Sequence, residues 1–165
     1  MITGIVAVDS NQGIGLNNSL PWPYLHYDML WFKHITDGQY ILMGRNTWES
    51  LGKRTLPSRK NIVVSSRIDF DMEIWMKSVD DALEYYKIHS GKKELFIIGG
   101  ANIYQQCLDK VDRWYVTEIN KHYECDTFLD LDTLKNNFKN KIEIASFESP
   151  VEYKIYEYNN DTSRS

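Results

Sequence analysis

The chain has 165 residues, 42% of them hydrophobic and 13% aromatic, with a formal net charge of −4. That length suits one domain, the apolar content excludes intrinsic disorder, and the mild acidity excludes a global field for nucleic acid. Cys107 and Cys125 lack CxxC spacing, no run reaches the roughly 18 apolar residues of a membrane span, and the first residues lack a secretory pattern, so a cytoplasmic monomer without membrane or nucleic-acid partners is expected.

Residues 2–8 are apolar and β-branched, and Asp9-Ser10-Asn11-Gln12-Gly13 supplies turn residues to stop them. A helix is predicted over 23–36 after a proline start, then a strand over 40–43 and a short helix over 46–51 ending at Gly52. Strands follow at 62–64 and 73–76, with a helix over 79–88 capped by Ser78 and favoured by Asp80 and Asp81. The run 95–98, the pair Gly99-Gly100, a helix over 101–108 and a strand at 114–117 complete the alternation. At the end, 142–147 and 152–158 have strand character with no helix between them. Unbroken apolar strands alternating with helices imply an α/β fold: one three-layer domain over 1–159, with a mostly parallel central sheet of about eight strands and helices on both faces. An antiparallel hairpin is expected at its C-terminal edge, followed by a polar tail, 160–165.

Helical spacing puts Leu25, Met29, Phe32 and Ile35 on one apolar stripe, with Asp28 inside its width. Two readings stay open: a carboxylate turned to solvent at the stripe's margin, or one sheltered with a raised pKa to grip a cationic or amidine-like ligand. Before it, Asn11-Gln12-Gly13-Ile14-Gly15 reads as a flap or an ordinary loop, and two prolines stiffen the approach around Trp22. Gly99-Gly100 lets a ligand or another backbone come close, and the following helix start offers N–H groups to phosphate. Arg45, Ser65, Ser66, Arg67 and Lys77 fall at the carboxyl ends of strands, where a parallel sheet gathers ligands, and they suit a phosphomonoester. His26, His34, His89 and His122 show no metal-ligand spacing, so no metal is expected, and no P-loop or GxSxG elbow is present.

Taken in order, seven stretches resemble the dihydrofolate reductase family. They are Ile14-Gly15-Leu16-Asn17-Asn18, Leu20-Pro21-Trp22, 28–33, 43–51, 56–61, 98–104 and Asp126-Thr127-Phe128. The resemblance implies reduction of 7,8-dihydrofolate to tetrahydrofolate by hydride from NADPH, in support of one-carbon and thymidylate synthesis. It implies that Asp28 binds the pterin's amino group and ring N–H, that Thr117 bonds Asp28, and that Trp22 holds a water beside it. Ile5, Val6, Met29, Phe32, Leu51, Leu56 and Ile98 are then the substrate's apolar contacts. Arg59 forks the substrate's glutamate carboxylate, with Lys33 and Arg54 as outer charges.

On the cofactor side the same likeness assigns Ala7, Ile14, Gly15, Asn18 and Leu20 to the nicotinamide and its flap. Gly44, Arg45, Asn46 and Thr47 meet phosphates, and Ser65, Ser66, Arg67 and Lys77 receive the 2′-phosphate. Gly99, Gly100, Ala101, Asn102, Ile103 and Tyr104 cradle the pyrophosphate and ribose across a cis diglycine bond. Departures are Asn46, where many bacterial members have His, Ala101 for a third Gly, Cys125 where some relatives have Gly, and a stretch Gly52-Lys53-Arg54-Thr55-Leu56 one residue longer than the common bacterial form, which loosens the place of Arg54. A pyrimidine reductase and a non-catalytic NADP-binding protein are the rival readings.

Overall fold

A computed structural model describes residues 1–67 and 75–160. The first strand is Ile2–Val8 (β1), and Gly13–Gly15 (β2) follows the Asp9 turn. Helix His26–Thr36 (α1) leads to Tyr40–Gly44 (β3), and Arg45–Ser50 (α2) to Lys60–Val64 (β4). Trp75–Met76 (β5), Val79–His89 (α3), Leu95–Ile97 (β6), Ala101–Cys107 (α4) and Arg113–Ile119 (β7) continue the alternation. Thr127–Phe128 (β8), Leu131–Asn137 (α5), Asn140–Phe147 (β9) and Tyr153–Asn159 (β10) complete it.

Eight strands form one sheet in the order β5-β4-β3-β6-β1-β7-β10-β9. Every pairing from β5 to β7 is parallel, and β10 runs antiparallel to both β7 and β9, as expected of the closing hairpin. Side chains alternate across this sheet and build two apolar layers. On one face Val6, Leu42, Ile62, Ile97, Trp114 and Val116 pack with α3, α4 and α5 residues such as Leu83, Ile103 and Leu134. On the other, Ile5, Ile41, Met43, Val63 and Phe96 pack with Trp31, Phe32 and Ile35 of α1 and Trp48 of α2. That is the expected three-layer arrangement.

Three expectations need correction. Helix α1 starts at His26 rather than at residue 23, because Trp22 and Leu25 are both buried against Ile119 and Tyr153, which holds the approach extended. Three elements had no sequence prediction: β2 and β8, which pair antiparallel, and α5, capped by Asp130, which accepts from the Thr133 N–H at 3.0 Å. Asn159 lies in β10, and Asn160 is anchored, donating to the Asn137 carbonyl at 2.6 Å and accepting from the Lys139 N–H at 2.9 Å. The expected strand residues 73–74 and tail residues 161–165 lie outside the described residues.

Candidate active site

Asp28 sits in the first turn of α1, partly buried, and accepts a 2.6 Å hydrogen bond from the Thr117 hydroxyl of β7. Thr117 is itself buried, in register between Ala7 of β1 and Ile155 of β10. Burial raises the Asp28 pKa above the ordinary carboxylate value, and the Thr117 bond opposes it without cancelling it. No cation pairs with this carboxylate among the described residues. Of the two readings open in the sequence, the structure agrees with the sheltered carboxylate of raised pKa.

The expected apolar wall assembles beside it. Ile5, Phe32, Leu51, Leu56 and Ile98 share one cluster between α1 and the sheet. Met29 is partly buried on the same helix, whereas Val6 points to the opposite face, so only its backbone faces this side. Trp22 is buried edge-on to Tyr123, with ring centroids 6.1 Å apart. Arg59 donates from Nε to the Pro57 carbonyl at 2.9 Å and from Nη1 to the Thr36 hydroxyl at 3.1 Å. Its carbon Cζ stands 6.0 Å from the Phe32 ring centre, and Nη2 makes no hydrogen bond among the described residues. That leaves one planar edge of a pre-oriented guanidinium to a ligand carboxylate. Lys33 and Arg54 are exposed.

A second wall runs along the ends of β3 and β6. The Gly44 N–H donates to the Gly99 carbonyl at 2.8 Å, and the Gly99–Gly100 bond is cis, as expected. Gly99 has φ +119, and a Cβ there would lie 3.2 Å from the Tyr104 hydroxyl and 3.3 Å from Thr47 Oγ1. A side chain would fill this groove. Tyr104 is locked below it by a 2.7 Å bond to the Ile5 carbonyl. Neither Gly44 before α2 nor Gly100 before α4 can supply a side-chain cap.

Ala101 is partly buried and Ile103 buried against Gly44, while Asn102 is exposed and bonded to Gln106. Arg45 is drawn to Glu49 at 3.0 Å. Ser65 and Lys77 directly follow the paired residues Val64 and Met76, so both stand at one sheet end, with Ser66 and Arg67 beside them.

The flap bridges the two walls. Asn18 donates to the Asn46 carbonyl at 3.0 Å, while Leu20 is 58% exposed at its far end. Asp126 accepts from the Asn17 N–H at 2.9 Å, and its own N–H donates to the Gly15 carbonyl at 2.9 Å.

Comparison with known proteins bears on this arrangement. The family model described as dihydrofolate reductase matches residues 1–160. The chain belongs to the dihydrofolate reductase family.

The family's Bacillus subtilis member is 45% identical over 128 residues, which are 76% of this chain and 73% of that protein. The Haemophilus influenzae dihydrofolate reductase is 40% identical over 126 residues, 75% of each chain. A solved dihydrofolate reductase from Enterococcus faecalis, complexed with NADP(H) and RAB-propyl, matches with a TM-score of 0.79 at 28% identity, covering 98% of this chain and 97% of that one.

Within this dihydrofolate reductase fold, sequence reasoning missed Asp9 as more than a turn residue. The signal available was an acidic residue closing an otherwise apolar strand, two positions before Asn11 and four before Gly13.

Proposed function

We propose that Asp28 is the catalytic carboxylate in the NADPH-dependent reduction of 7,8-dihydrofolate to 5,6,7,8-tetrahydrofolate. The reaction is that of the family, and the chain is an oxidoreductase. The single observation carrying the residue assignment is an unpaired carboxylate of raised pKa, oriented by Thr117 beside an apolar wall.

A pterin ring presents an amino group and a ring N–H side by side, which match the two oxygens of one carboxylate. Asp28 fixes the ring against Ile5, Phe32 and Ile98, and its negative charge favours a protonated ring. Thr117 keeps the carboxylate plane set. Trp22, buried at the helix approach, is proposed to hold a water near Asp28. Arg59 takes the carboxylate of the substrate's glutamate tail.

The residues present fit NADPH: the Gly99 groove is one a Cβ would fill, and hydroxyl and basic groups stand at its sheet end. NADPH, when bound, supplies the hydride. Gly99 to Tyr104 and Gly44 to Thr47 hold its pyrophosphate and ribose, with Arg45 shared with Glu49. Ser65, Ser66, Arg67 and Lys77 hold the 2′-phosphate. Ala7, Ile14, Gly15, Asn18 and Leu20 cover the nicotinamide and exclude water. A cytoplasmic location is proposed from the two unpaired cysteines; among the described residues no helix is long and apolar enough to cross a membrane.

The test is Asp28→Asn, followed by loss of nicotinamide absorbance. The turnover rate is expected to fall roughly 10²–10⁴-fold, the scale of a proton-managing group, with NADPH affinity kept. Near-normal turnover at neutral pH would defeat the assignment.

A further inference from the structure

Asp9 closes β1 and is a carboxylate sealed in protein, only 4% exposed. Its lone pairs are in use on both sides. Oδ1 accepts from the backbone N–H groups of Asn11 and Gly13, each at 2.8 Å, where the flap begins. Oδ2 accepts from the Tyr123 N–H at 2.8 Å and lies 3.8 Å from the donating Cys125 thiol, on the facing segment. Burial works to raise its pKa, but the amides of Tyr123, Gly13 and Asn11, with His122 beyond, bring it below the usual carboxylate value. It is therefore charged, and a charged acceptor makes the stronger bonds.

The packing at this junction is as close as the bonding. A Cβ on Gly13 would lie 2.3 Å from the Cys125 sulfur. Ser10 donates to the Lys121 carbonyl at 3.1 Å, and the Gln12 carbonyl accepts from the Leu129 N–H at 2.9 Å. One stretch, 121–129, thus contacts the flap at its root and at its tip. At the tip the holder is Asp126, which is exposed, so water competes for its bonds. At the root the link runs from Asp9, only 4% exposed, to Tyr123 and Cys125.

We propose that Asp9 is a positioning residue for turnover: it fixes the root of the flap, residues 14–20, to the 121–125 segment and so sets how firmly the flap retains the cofactor. It touches neither ligand and acts through Ile14, Gly15 and Asn18. The inference rests on the reductase reading.

The test uses the full chain carrying Asp9→Asn, which keeps the shape but turns one acceptor into an amide that cannot accept. Dissociation of NADPH, read by trapping with excess competitor and normalised to titrated active sites, is expected to speed up about fivefold, the scale of one lost hydrogen bond. The KM for dihydrofolate stays unchanged. A purely structural role would lower the thermal midpoint and leave the dissociation rate per active site where it was, and that result overturns the proposal. If Asp9→Asn does not fold, Gly13→Ala wedges the same junction. It is expected to speed release too, and Cys125→Gly in the same chain to restore it; additive effects overturn the proposal. Loss of the reductase reading looks different, since the unchanged chain would then show no dihydrofolate-dependent NADPH oxidation.

Discussion

Replacing Thr117 by Val removes one hydroxyl and keeps its volume, which makes it the sharpest probe of how Asp28 is tuned. The bond lost is 2.6 Å long and its donor is 3% exposed, so water cannot easily take its place. Hydrogen bonds to charged groups contribute about 1.5–3 kcal/mol, and the lower end applies because Asp28 keeps some solvent contact. In the folded chain burial raises the Asp28 pKa and the Thr117 bond restrains it, so removing the bond lets the pKa rise further. The reaction takes up a proton, and Asp28 with the bound ring titrates as one unit. Single-turnover hydride transfer should therefore hold its rate to higher pH in Thr117→Val. On the alkaline limb, relative to each protein's own acid plateau, the variant is expected to run about tenfold faster than the parent, since about 1.4 kcal/mol is a factor of ten. Stopped-flow loss of nicotinamide fluorescence across pH gives the comparison. A limb that stays put, or moves to lower pH, refutes the claim that this hydroxyl stabilises the ionised carboxylate.

Asp28→Asn should also stabilise the fold while it slows turnover. Because the folded pKa of Asp28 is raised, the parent loses stability as pH rises from the unfolded carboxylate value, near 3.9, through the folded value, and the variant does not. Denaturant titrations should show the variant ahead at neutral pH and the two converging in acid. Arg59→Ala is expected to raise the Michaelis constant for dihydrofolate by about 1–3 kcal/mol in binding terms, with NADPH affinity untouched; an unchanged constant favours a substrate without a glutamate tail, such as a pyrimidine. Gly44→Ala would set a methyl 2.7 Å from Ile103 Cγ1, and denaturation should report a loss of about 1–3 kcal/mol, smaller in an Ile103→Ala background.

Local pattern located most elements, because each strand run is apolar enough to be covered on both faces and each helix start carries its own punctuation. Strand β1 matched to the residue, and Ser78 caps α3 by accepting from the Asp81 N–H at 3.0 Å. The start of α1 was misplaced because the pull on Trp22 and Leu25 comes from Ile119 and Tyr153, far along the chain. Helix α5 was readable after all, since Asp130 and Thr133 have capping spacing. The β2–β8 pair was not, since strands of three and two residues show no period. Strand alternation could have turned Val6 away from Ile5, and the four-residue spacing could have tied Arg45 to Glu49.

The carboxylate proposed as catalytic shows where such reading stops. Periodicity fixes the angle at which Asp28 leaves its helix and says nothing of depth; the depth comes from Thr117, 89 residues away. Once placed, the group poses an energetic question that the free chain does not answer. A sheltered negative charge costs stability unless something neutralises it, and here one hydroxyl is the only hydrogen-bond donor to the carboxylate among the described residues. Asp9, by contrast, is less exposed, and two amides on one side and an amide and a thiol on the other satisfy it. On the reading proposed above, the satisfied carboxylate fastens structure and the unsatisfied one is completed by a ligand.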